Sequence, residues 1–201
     1  MNYIKMFISS ILAGIAISIG SIAYLVTQNA MFFPIGLFII VVYNLHLFTG
    51  RVGYVSKKSD FPKLLLMLLG NVIGAGTSGI IMRYCKPALV GNAIVLCDRK
   101  ITEGVWLIPL AIMCNVLIFV AVDICTRKEV DNIVKIVSLW MATAIFVICG
   151  FEHCVVNTFY FALSGTINVT AVLYLIANAI LNGIGGFLAY VSLYLVQDVK
   201  I

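Results

Sequence analysis

Apolar residues run along this chain in long blocks, and polar residues interrupt the blocks at only a few places. Six apolar segments cover roughly residues 7–27, 31–49, 62–82, 104–126, 133–163 and 168–197. A helix that crosses the hydrocarbon core of a bilayer needs about 20 residues, and four of the six segments are of that length or slightly longer. The sixth is long enough to cross at a tilt. The fifth, "NIVKIVSLWMATAIFVICGFEHCVVNTFYFAL", exceeds one straight span by about ten residues. Gly150 stands near its middle, directly before Phe151, Glu152 and His153. A helix broken there accounts for both the excess length and the polar insertion, because non-helical backbone survives at membrane depth only beside a cavity or buried in protein. The second segment carries polar residues at a comparable place, "VYNLHLFTG". The pattern therefore predicts an all-α membrane protein of six transmembrane helices, the second and fifth of them broken, in a single domain over 1–201.

Composition agrees. Of 201 residues, 63% are hydrophobic and only 10% charged, with a mean hydropathy of +1.13. Soluble domains are nearer a quarter charged, so lipid must serve as solvent for much of this surface. The opening run, with Lys5 ahead of it, has the outline of a signal peptide, but it continues to about Val26 and further spans follow. It is read as the first membrane helix.

The net charge of +5 would suggest nucleic acid in a soluble protein. Here the bases lie between spans and set orientation. With both termini inside, the inner side holds Lys5, Arg51, Lys57, Lys58, Lys63, Arg127, Lys128, Lys135 and Lys200. The outer side holds Arg83, Lys86, Arg99 and Lys100. This excess predicts cytoplasmic termini, a cell-membrane location and no nucleic-acid partner. The loop of residues 85–100 then faces outward. Its Cys85 and Cys97 could bridge in an oxidising compartment or remain two free thiols. Cys114, Cys125, Cys149 and Cys154 are expected to be packing residues.

The halves, about 1–85 and 100–201, resemble each other. "GNVIGAG" is echoed by "NGIGGF", matching Asn71 and Gly74 with Asn182 and Gly185; Gly14 and Ser18 are matched with Ala111 and Asn115. Three spans repeated after three spans insert in opposite orientations, giving an inverted repeat with a solute site near the midplane.

Between Lys135 and Asp198, Glu152 and His153 are the only Asp, Glu, Lys, Arg or His residues. The pair could clamp two helices or form a solute site; ionisable groups within spans usually face a bundle interior or a water-filled path. A metal site at Cys149, Glu152, His153 and Cys154 lacks a second cluster to complete three or four ligands. No metal or cofactor is expected, and no enzyme. The run "GNVIGAGTSG" has no Lys and lies inside a span, so it is helix packing rather than a phosphate loop.

Taken together, "FFPIGL", "LHLFTG", "GNVIG", "GFEHCVVN" and "NGIGG" resemble the formate/nitrite transporter family, in the family's order and over nearly the whole chain. The resemblance implies an aquaporin-like homopentamer whose protomers each conduct small monovalent anions such as formate, nitrite or hydrosulfide. It implies that His153 is the central pore histidine and that Thr49 faces it, with Asn115 and Asn157 as further polar pore positions. Phe33 and Phe146, with Ile118 nearby, are implied at an outer constriction, and Leu37, Leu47 and Phe48 at an inner one. Arg99 or Lys100 is implied in the outer vestibule. Glu152 is expected to face away from the pore and bond backbone near the break. The family usually has an acid where this chain has His46, so that break is expected to be held differently. The sequence begins close to its first apolar run, so gating by the family's longer amphipathic N-terminal segment is not expected.

Two other readings stay open at this level. One is an aquaporin-type neutral-solute pore, against which the lack of Asn-Pro-Ala motifs counts, since none of Pro34, Pro62, Pro87 and Pro109 follows Asn. The other is a membrane-embedded metal- or thiol-dependent enzyme.

Overall fold

The computed structural model describes residues 2–55 and 60–197. Lys57, Lys58 and Lys200, three of the bases used for orientation, lie outside the described residues. Those residues form helices α1 (Tyr3–Thr27), α2 (Ile35–Val42), α3 (Phe48–Arg51), α4 (Phe61–Cys85) and α5 (Val90–Thr102). They continue as α6 (Leu107–Thr126), α7 (Asn132–Ile148), α8 (Cys154–Ser164) and α9 (Val169–Gln197). Four helical stretches are long and apolar enough to cross a membrane, namely α1, α4, Gly104–Thr126 and Val169–Val196.

The predicted second and fifth segments take a different form, each yielding shorter helices with irregular backbone between them. Helix α2 stops where Asn44 enters the left-handed region at φ 50°, and α7 stops where Gly150 does so at φ 66°. Such a residue ends a helix by turning the next N–H groups back onto its last carbonyls. Leu45 N–H donates to the Ile40 carbonyl at 2.8 Å, and Phe151 N–H donates to the Phe146 carbonyl at 3.0 Å. The two interruptions thus share one backbone design. Glycine takes this conformation freely and asparagine is among the few other residues that tolerate it.

Beyond the interruptions the correspondence is held by two asparagines. Asn71 donates through Nδ2 to the carbonyls of Ser10 (2.7 Å) and His46 (2.9 Å), while its Oδ1 accepts from Phe48 N–H (2.8 Å). Asn182 donates to the carbonyls of Ala111 (2.8 Å) and Glu152 (2.9 Å), and accepts from Cys154 N–H (2.9 Å). Both side chains are fully buried.

By these bonds alone, the match of α1 with α6 differs from the one the sequence suggests. Ser10, not Gly14, is the counterpart of Ala111, so the match was displaced by four residues, about one helical turn. A one-turn slip keeps the same helix face toward the partner, so the small-residue pattern could not expose it. Gly14 instead corresponds to Asn115. A Cβ on Gly14 would run into the Asn71 carbonyl, and at the equivalent place Asn115 donates to the Asn182 carbonyl at 2.7 Å.

Close helix approach follows from the small residues. A side chain at Gly74 would collide with the Ile11 carbonyl, and one at Gly185 with the Ile112 carbonyl. Gly74→Ala is therefore expected to force α1 from α4 and to cost about 1–3 kcal/mol. Gly91→Ala, where a Cβ meets nothing within 4 Å, is expected to leave the melting temperature in detergent unchanged or raise it.

The predicted loop of residues 85–100 is largely helix α5, entered through a turn at Pro87–Leu89. Its buried residues Ala93 and Cys97 are four apart and so share one face, a pattern too short to stand out between two membrane spans. All six cysteines are free thiols; Cys85 is exposed and Cys97 buried. The bridging alternative therefore does not hold, because Cys97 is turned inward and lies 3.5 Å from the Ser164 hydroxyl. Burial pushes its thiol up from the ordinary value, which keeps it protonated.

Candidate functional site

The two interruptions meet at the centre of the molecule. His153 sits in extended backbone (φ −110°, ψ 119°) as the N-cap of α8, and Val156 N–H donates to its Nδ1 at 3.4 Å. That bond leaves Nε2 as the protonated ring nitrogen of the neutral form. Nε2 lies 2.9 Å from Oγ1 of Thr49, in the first turn of α3. Both residues are buried, His153 at 2% exposure and Thr49 at 0%. The imidazole donates to the Thr49 oxygen, which leaves the Thr49 hydroxyl hydrogen available to a further acceptor.

Aromatic rings close one side of this pair. Phe146 lies 6.0 Å from the His153 ring, and Phe33 meets Phe146 edge to face at 5.1 Å. Beyond them opens a pocket whose lining includes Tyr24, Arg99, Lys100, Gly150 and Asn157. This pocket lies at the C-terminal end of α1. A second pocket lies at the other end of the molecule, beside Val122, Cys125 and Thr126 at the end of α6, and Leu37 and Leu47 line it. Phe33 and Phe146 thus lie between the polar pair and one pocket, and Leu37 and Leu47 line the pocket at the other end.

Two of the residues selected from the sequence turn away from the His153–Thr49 pair. Phe48 follows Leu47 but packs instead into an apolar groove with Leu64 and Leu68 of α4 and Ala179 and Gly183 of α9. Adjacent residues cannot share one direction, so only one of the two can face the leucine side. Asn115 turns toward α9, and its Oδ1 has no hydrogen-bond partner among the described residues. Ile118 is buried at 2% exposure, as are Phe33 at 1% and Phe146 at 3%.

Glu152 departs from the sequence expectation of bonding backbone. Both of its oxygens lie 2.7 Å from Lys100 Nζ, and Oε2 also accepts from Asn157 Nδ2 at 2.6 Å. The Lys100 and Glu152 side chains are 8% and 6% exposed, so this is a buried ion pair. Lys100 is committed to that pair even though it borders the vestibule. At the other interruption His46 holds Ser9: its Nδ1 lies 2.9 Å from Ser9 Oγ, and its own N–H donates to the same oxygen at 3.2 Å.

Sequence reasoning missed the roles of Asn71 and Asn182, which fasten α3 and α8 at their first residues. Their matched positions in the two halves were the available signal. It also missed Asn44 and Arg51 at the leucine-lined vestibule; nothing in local composition separates Arg51 from an ordinary loop base.

A family model described as Formate/nitrite transporter matches residues 1–196 of the chain. Among curated proteins, the formate channel FocB of Escherichia coli (strain K12) is 28% identical over 191 residues, covering 78% of this chain and 65% of that protein. The formate channel FocA of Haemophilus influenzae is 25% identical over 184 residues, covering 76% of this chain and 64% of that one. The nitrite transporter NirC of Salmonella typhimurium is 24% identical over 193 residues, covering 81% and 69%. The match thus spans slightly less than two thirds of the two formate channels. Among solved structures, a pentameric formate channel with formate bound superposes with a TM-score of 0.84 at 23% identity, covering 98% of this chain and 97% of that one.

Proposed function

Because this chain belongs to the formate/nitrite transporter family, whose members are transporters rather than enzymes, we propose that it is a multi-pass channel for small monovalent anions of weak acids. Formate, nitrite and hydrosulfide are the candidate solutes. The observation that carries the reading is the buried His153–Thr49 contact of 2.9 Å between phenylalanine and leucine layers.

The architecture proposed with it has six spans. Helices α2 and α3 are the halves of one broken span and α7 and α8 the halves of another. The matched asparagine bonds and the paired turns at Asn44 and Gly150 support an inverted 3+3 repeat with halves of about 1–85 and 100–201. The formate channel of similar fold is described as pentameric, which supports a homopentamer here, with lipid against the exposed apolar side chains of the outer helices. The distribution of Lys and Arg supports a cell-membrane location with cytoplasmic termini.

An anion stripped of water between aromatic and aliphatic side chains faces a desolvation cost of tens of kcal/mol in a medium of low dielectric. The centre lowers it in part in two ways. The N-terminus of α8 favours negative charge by about 0.3–1 kcal/mol, and more where partly buried. The Thr49 hydroxyl, with its oxygen engaged by His153, donates to the anion. A proton given up by hydronium or a buffer acid in the aqueous vestibule joins the anion beside His153, the side chain whose ordinary pKa is nearest neutrality, and the neutral acid passes the apolar layers without the charge penalty. Asn157 holds Glu152 and through it the backbone beside His153.

The test is flux of the three anions into proteoliposomes at two pH values, for the natural protein and His153→Ala. Flux that rises as pH falls, and that drops at least tenfold in the variant, is the expected result. Equal, pH-independent entry of a neutral solute through both proteins would overturn it.

A further inference from the structure

The leucine-lined vestibule contains a cation that the pathway above does not use. Its polar lining is Asn44, Arg51, Tyr54 and Thr126. Arg51 Nη2 donates to Asn44 Oδ1 at 2.7 Å, and Asn44 is held in place by its left-handed turn at φ 50°. Because Oδ1 faces the guanidinium, the Asn44 amide presents Nδ2 as a second donor beside Arg51. Arg51 takes part in none of the ion pairs found among the described residues.

No acid is among the described residues lining this mouth, and Asp123, which accepts from the lining residue Tyr54, is occupied elsewhere. Asp123 is 5% exposed, accepts from the Tyr54 hydroxyl at 2.8 Å, and pairs with Arg127 at 2.7 Å. At the opposite vestibule Lys100 is matched by Glu152, while Arg99 also lines the wall without an ion pair found among the described residues. At the leucine side the guanidinium keeps its charge against a neutral amide, with N–H groups left over in a planar fork. That geometry suits a two-oxygen anion, which can accept two parallel hydrogen bonds, better than a single-atom anion.

We propose that Arg51, positioned by Asn44, forms an anion-recruiting subsite at the leucine-lined mouth that favours planar two-oxygen anions over hydrosulfide. The inference rests on the channel reading and extends it: the central pair handles passage, while this subsite sets local concentration and selection at one mouth. A single charge at this range enriches a monovalent anion about three- to tenfold at low ionic strength, and salt screens it.

The experiment uses proteoliposomes with the protein in one orientation, comparing the natural chain, Arg51→Gln and Arg51→Lys. Arg51→Gln is expected to lower formate entry from the leucine-lined side about three- to tenfold in 10 mM salt, near the ionic strength where screening is weak. Entry from the other side should be unchanged, and the difference should vanish in about 1 M salt. Arg51→Lys is expected to restore entry but to narrow the formate-to-hydrosulfide ratio. Unchanged entry in Arg51→Gln overturns the subsite and leaves the channel reading standing. If the natural chain moves none of the anions, the channel reading fails instead. A Leu45→Cys reporter in the same vestibule, in a chain whose Cys85, Cys125 and Cys149 are replaced by Ser, then decides Arg51 without transport. Faster modification by an anionic than by a cationic thiosulfonate, lost on adding Arg51→Gln, supports the subsite, and an unchanged ratio overturns it.

Discussion

Lys100→Met is expected to lower the unfolding free energy by about 3–5 kcal/mol, the range measured when one partner of a buried ion pair is removed. The Glu152 carboxylate then loses the only cation within hydrogen-bonding distance among the described residues, keeping Asn157 Nδ2 at 2.6 Å and the Tyr174 hydroxyl as donors. Methionine fills similar volume, so the loss reports charge rather than a cavity. The double variant Lys100→Met/Glu152→Gln is expected to recover most of the stability, because a neutral amide at 152 no longer needs a counter-charge and can still accept from Asn157. Chemical denaturation in detergent of both single variants and the double variant closes the cycle. A cost below about 1 kcal/mol for Lys100→Met would mean that Glu152 is not held as an anion, since an uncompensated buried carboxylate costs several times that. Stability alone does not move the pore chemistry, so the double variant is also expected to conduct with the natural pH profile.

Asn182→Ala is the second large effect. One side chain bonds two carbonyls and one N–H from three separate places: Ala111 on α6, Glu152 in the interruption, and Cys154 at the start of α8. Each buried backbone group left without a partner costs about 1–3 kcal/mol, so for three groups the expected loss is about 3–9 kcal/mol. Cys154 adjoins His153, and its N–H is one of the few anchors of the extended backbone there. Flux is therefore expected to fall even in the fraction that stays folded. Asn71→Ala should behave similarly through Ser10, His46 and Phe48, displacing Thr49 instead of His153. Melting temperature and formate flux measured on both variants separate the two effects. If either variant keeps natural stability, that asparagine is not the fastener described here.

The apolar blocks made the four long helices legible, because a membrane span needs only length and hydropathy to declare itself. The unusual length of the fifth block and the lone Glu152–His153 pair also made an interruption legible near Gly150. The register between α1 and α6 was not, since a slip of one turn preserves the face that small residues present. Nor was α5 legible, as an amphipathic helix of 13 residues is too short and too polar to form an apolar block beside spans of twice its length.

The side-chain directions mark the division most clearly. By itself the sequence determined that an acid and an imidazole stand together in an apolar setting, and that bases follow one another at 99 and 100. Only the tertiary structure decided their partners. His153 lies in extended backbone, where neighbouring side chains point to opposite sides. Glu152 is thereby sent to Lys100, and His153 to Thr49, more than a hundred positions away in the chain. On helix α5 adjacent residues diverge by about 100°; Lys100 is thereby buried against the acid while Arg99 lines the vestibule. Composition can state which charges enter a membrane protein. Which of them is neutralised and which faces the path depends on contacts between distant segments, and those exist only once the helices have packed.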